Sequence, residues 1–132
     1  MAEETLVKEP LSRERIDAGR RLIELLDQNT FNVVCAFWIF DSVDGWRLVI
    51  ATPLADSEDT RNLYSRVQTM LTAVADDFGF LSVGNIEIVR PRDKTVQALT
   101  KAFSTGIGVR ITGSRLFGVL VEDAYLYRAV HP

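Results

Sequence analysis

Nucleophiles and general bases decide what chemistry a chain can do, and here the most versatile of them are nearly missing. The only histidine, His131, is the penultimate residue, and the only cysteine, Cys35, lies inside the apolar run Val33-Val34-Cys35-Ala36-Phe37-Trp38-Ile39-Phe40. Serine, cysteine and zinc hydrolases need a positioned imidazole or thiolate in a cleft. The sequence therefore predicts no catalytic residue, no metal site and no cofactor, and it leans away from an enzyme. Carboxylates and arginines alone can catalyse some reactions, but nothing in their arrangement picks one.

The acidic residues read as structure. Asp41 and Asp44 precede Gly45, and the acidic spacing of a calcium loop is absent, so turn chemistry accounts for them. Glu87, Arg90 and Lys94 invite comparison with nucleases that hold a carboxylate and a lysine two positions apart, but Val89 occupies the lysine's place. Glu122 and Asp123 are adjacent, so on a strand they face opposite sides and cannot serve one centre together.

The basic residues are more suggestive. The net charge is -3, which argues against a general nucleic-acid binder. Its distribution is uneven: residues 1–66 hold eight Lys/Arg against twelve Asp/Glu, and residues 67–132 hold seven against six. Within residues 90–115, Arg90, Arg92, Lys94, Lys101, Arg110 and Arg115 face Asp93 alone. These six are the candidate anion or nucleic-acid site. Ser104-Thr105-Gly106-Ile107-Gly108 and Gly113-Ser114-Arg115 resemble an anion cradle. Their glycines fall at a predicted helix end, however, so a helix cap followed by a hairpin turn is the simpler reading. Nucleic acid is the weaker ligand, because Phe103 and Phe117 read as core and leave no stacking platform.

The elements that must position these residues follow from periodicity and punctuation. Ser12 caps a predicted helix over 12–28, with Ile16, Gly19, Leu22, Ile23 and Leu26 inward and Asn29 as a left-handed stop. A strand over 33–40 and a returning strand over 46–52 flank an Asp-Gly turn. Asp56, Ser57, Glu58 and Asp59 cap a second helix over 57–78, striped by Leu63, Val67, Met70, Leu71, Val74 and Phe78. A strand over 86–89 ends at Pro91, and Asp93 caps a third helix with Val96, Leu99 and Phe103 inward. Strands over 109–112 and 117–121, turning at Gly113-Ser114-Arg115, and a last strand near 125–128 complete the chain. Residues 1–10 are expected to be a flexible N-terminal segment.

The expected fold is a single α+β domain with a mixed, largely antiparallel sheet of about five strands and three helices, in the order α-β-β-α-β-α-β-β. Both faces of the strand over 33–40 are apolar, so either the helices divide between the two sheet faces or another molecule covers one of them. The second option predicts a homo-oligomer or a protein partner, with Trp38, Phe40, Trp46, Tyr125 and Tyr127 as interface candidates. The leading expectation is a non-enzymatic interaction or assembly domain; phosphate-ligand or nucleic-acid binding through residues 90–115 is the alternative. A single cysteine and the acidic start Met1-Ala2-Glu3-Glu4 predict the cytoplasm, and the eight-residue apolar run is too short to span a membrane. Segments such as 36–40, 48–54 and 121–128 resemble those of small bacterial proteins of no assigned function, a resemblance that implies no activity.

Overall fold

A computed structural model describes residues 10–73, 81, 83–103 and 108–129. Most of the expected N-terminal segment, residues 74–78 of the predicted second helix, most of the 104–108 glycine segment and His131 lie outside these residues. Helix α1 runs Arg13–Gln28, and Ser12 Oγ accepts the Arg15 N–H at 3.1 Å, as its capping role predicts. Asn29 is not left-handed; its side-chain amide instead donates to the Leu25 carbonyl, and Thr30 takes the positive φ.

Strands β1, Cys35–Asp41, and β2, Gly45–Ala51, form an antiparallel hairpin from Cys35↔Ala51 to Asp41↔Gly45. Asp41 Oδ1 accepts the N–H groups of Val43 and Asp44 at 2.8 and 2.7 Å, so this carboxylate does build the turn. The second helix starts later than predicted. Helix α2, Leu54–Ser57, stops at an extended Glu58, and α3, Thr60–Ala73, begins after Asp59, whose side chain accepts the Arg61 N–H. A 3-10 turn at Val83–Asn85 leads into β3, Ile86–Val89, and then α4, Lys94–Ala102, follows.

Strands β4, Val109–Leu116, and β5, Val119–Ala129, close the sheet as one long hairpin. The predicted turn at Gly113-Ser114-Arg115 is instead strand, and the chain reverses at Phe117-Gly118, both with positive φ. Gly113, with φ 50°, takes up a kink inside β4. Ile111 and Leu116 both pack on the α4 side although they are five positions apart, so the alternation changes sense between them.

The sheet is mixed, five-stranded and ordered β3-β2-β1-β5-β4, with only β2 and β3 parallel. The fold is α+β, as the element order predicts. The three longer helices divide between its faces. Leu22 and Leu26 of α1 and Leu63 and Val67 of α3 pack on Ala36, Trp38, Phe40, Leu48 and Ile50. Val96 and Leu99 of α4 pack with Cys35, Phe37, Ile39, Val49 and Leu126 on the other side. At about 1.5 to 3 kcal/mol for each large apolar side chain removed from water, this two-sided cover is a main source of stability. Strand β1 is therefore shielded front and back by its own chain, and it needs no companion molecule.

A bulge in β5 ties the sheet to α1. Pairing with β1 shifts by one residue between Ala36 and Phe37, leaving Tyr127 extra. Its hydroxyl donates to the Ile16 carbonyl and accepts from Trp38 Nε1 at 2.9 Å, while Arg128 grips Asp27 and the Val33 carbonyl. Gly19 makes room: any Cβ there would overlap the Tyr127 hydroxyl.

Candidate functional site

Helices α3 and α4 leave the adjacent parallel strands β2 and β3 on opposite faces. In open sheets such a divergence opens a crevice beyond the C-terminal strand ends, a recurrent ligand site. Here that crevice measures about 420 Å³ and is lined by Ala55, Thr60, Ile88, Val89, Arg90, Arg92 and Asp93.

Local sequence builds each wall. Thr52, fully buried at the end of β2, donates to the Phe31 carbonyl and accepts the Leu54 N–H, fixing the path into α2. On the β3 side, Asp93 N–H bonds the Arg90 carbonyl at 3.0 Å, closing a turn with Pro91 at its second position. That turn brings Arg90 and Arg92 to one carboxylate, Asp56, and Ile88 and Val89 line the same crevice. Tyr64 of α3 secures the edge by accepting the Ile88 N–H at 2.8 Å.

Charge in the crevice comes from the arginines. The start of α4 is already satisfied, since Asp93 accepts the N–H groups of Thr95 and Val96 at 2.9 and 3.2 Å. Arg90 Nε and Arg92 Nη2 lie 3.5 and 3.6 Å from one oxygen of Asp56, with the guanidinium side chains 62% and 77% exposed. These are loose ion contacts that leave N–H donors facing water.

The six predicted basic residues do not converge as one patch. Arg90 and Arg92 meet at the crevice, and Lys94 follows on the first turn of α4. Lys101 is at the far end of that helix, about 10 Å away along its axis, stacked 5.4 Å from the Phe117 ring centroid. Arg110 is locked on Asp123 by two hydrogen bonds of 2.7 and 2.8 Å and lies over Trp46. Arg115 pairs across β4 and β5 with Leu120.

The interface candidates are mostly interior. Trp38, Phe40, Trp46 and Tyr127 are buried in the core on the α1 side, and Tyr125 is half-buried against it. Trp38, Phe40, Trp46 and Tyr127 pack in this chain's own core, while Tyr125 keeps part of its side chain at the surface. Phe117, expected in the core, is 66% exposed at the hairpin tip. Glu87 pairs with Arg47 at 3.0 Å and shares nothing with Lys94. Glu122 is exposed while Asp123 is buried. Burial pushes the Cys35 thiol up to about 12, so it stays protonated.

A second hollow of about 220 Å³ is bordered by Arg20, Tyr125, Tyr127 and Arg128. Its arginines are engaged with Asp17 and Asp27, which leaves the crevice as the better ligand site. Among the described residues, no cluster of three metal-ligating side chains forms, and no helix is long and apolar enough to cross a membrane. No family model, curated protein or solved structure matches this chain.

Proposed function

We propose that this domain binds a small phosphate-bearing ligand in the crevice beyond β2 and β3, through Arg90 and Arg92. The observation that carries this reading is the pair of loosely held guanidiniums lining a crevice at a point where helices diverge. Guanidiniums suit phosphate because their planar donors match its oxygens. Two charge-assisted hydrogen bonds at about 1.5 to 3 kcal/mol each correspond to dissociation constants from millimolar to tens of micromolar. Calorimetric titration of inorganic phosphate at low salt tests it. Binding lost in Arg90→Ala/Arg92→Ala supports the reading, and no heat from the wild type removes it.

Protein contact remains as a second reading, moved from β1 to the hairpin tip. Phe117 holds a left-handed φ of 47° in a turn that favours Asn or Asp, and its ring is exposed with Leu120 close by. Both features cost the isolated chain stability, and a partner pocket would offset them. Light scattering at micromolar concentration tests a second copy as that partner: association abolished by Phe117→Asn supports it, and a monomeric wild type ends it. A cytoplasmic setting fits either reading, since the lone cysteine is buried and in no disulfide.

A further inference from the structure

Resting on the phosphate reading, we infer that Asp56 is a built-in competitor that sets which anions the crevice accepts. Its Oδ1 stands between Arg90 Nε and Arg92 Nη2, at 3.5 and 3.6 Å, where an incoming anionic oxygen would sit. It reaches this place from α2, whose Ala55 lines the crevice together with the two arginines. Among the described residues, Asp93 is committed to the α4 N–H groups, and Asp56 makes the ion contacts with the two guanidiniums.

An anionic oxygen seated between Arg90 Nε and Arg92 Nη2 competes with this carboxylate. A ligand carboxylate exchanges one single negative charge for another and gains almost nothing. A phosphate monoester brings a charge of about -1.5 to -2 and three acceptor oxygens, enough to take both guanidiniums at hydrogen-bond distance. The crevice thus selects phosphates over carboxylates, and Asp56 is the specificity-determining residue.

Calorimetry with inorganic phosphate and with acetate, on the full chain and on Asp56→Asn, tests this. The wild type is expected to bind phosphate and not acetate. Asp56→Asn, with the competitor's charge removed, is expected to bind phosphate about three- to tenfold more tightly and to bind acetate measurably. Asp56→Ala should behave alike, and circular dichroism confirms that each variant is folded. Phosphate binding by the wild type that both variants leave unchanged or weaken overturns the role of Asp56 alone. Absence of phosphate binding in all three proteins overturns it together with the phosphate reading.

Discussion

Replacing Gly19 with alanine tests the contact that joins α1 to the sheet. In an exposed helix the change would stabilise by about 1 kcal/mol. Here the new methyl lands on the Tyr127 hydroxyl and 3.0 Å from Trp38 Nε1. The hydroxyl cannot yield freely, because it donates to the Ile16 carbonyl and accepts from the buried indole. Displacing it strands the indole N–H at about 1 to 3 kcal/mol, and crowding adds roughly 1 to 3 more. Net of the helical gain, Gly19→Ala should destabilise by about 1 to 5 kcal/mol. Tyr127→Phe removes the hydroxyl and should cost about 1 to 3 kcal/mol alone. The double variant has no hydroxyl to displace, so it should be more stable than the sum of the singles by about 1 to 2 kcal/mol. Urea unfolding followed by circular dichroism measures all four corners. Additivity within about 0.5 kcal/mol, or a stabilising Gly19→Ala, would refute the reasoning.

Other consequences can be checked on the same purified chain. Arg110→Ala leaves Asp123, 1% exposed, without its bidentate partner, and should cost about 2 kcal/mol in urea unfolding, less than a fully buried pair because Arg110 is partly in water. Cys35, with its thiol raised to about 12 by burial, should resist a thiol reagent at pH 8 in the native protein and react at once after unfolding. Asp41 is held below its ordinary 3.8 by the N–H of Asp44 first, then by Val43 and Arg47. Its stabilisation is present above pH 3.8 and is lost as the pH falls through its lower folded value, so the gap between wild type and Asp41→Ala should close in acid. Phe117→Asn, which suits the left-handed turn before Gly118, should raise the melting temperature of the isolated chain by a few degrees.

Short-range patterns in the sequence carried much of this fold. Ser12 and Asp93 read correctly as caps because capping is settled within three residues. The double-faced strand read correctly because alternation needs no partner: Cys35, Phe37 and Ile39 face α4, and Ala36, Trp38 and Phe40 face α1 and α3. Val33 and Val34, just before β1, take the opposite assignment because the extended pattern has not yet begun. The hairpin turn was misplaced because Gly113-Ser114-Arg115 carries stronger turn chemistry than Phe117-Gly118. With it went the Arg110–Asp123 pair, which depends on the true register. Two arginines of the crevice lay in the basic segment, but Asp56 and Thr60 reach them only through the parallel pairing of β2 with β3. No local signal encodes that meeting. Gly19 was legible as a place on an inner stripe, while its reason, the Tyr127 hydroxyl, lies more than a hundred residues away.

Amide chemical-shift mapping of the labelled chain during titration with inorganic phosphate at low salt tests the central proposal most directly. Shifts concentrated at Thr60, Val89, Arg90, Arg92 and Asp93, saturating together, are the expected result. Shifts that cluster around Lys101, Arg110 and Arg115, or a spectrum that phosphate leaves unmoved, would contradict a ligand site between β2 and β3.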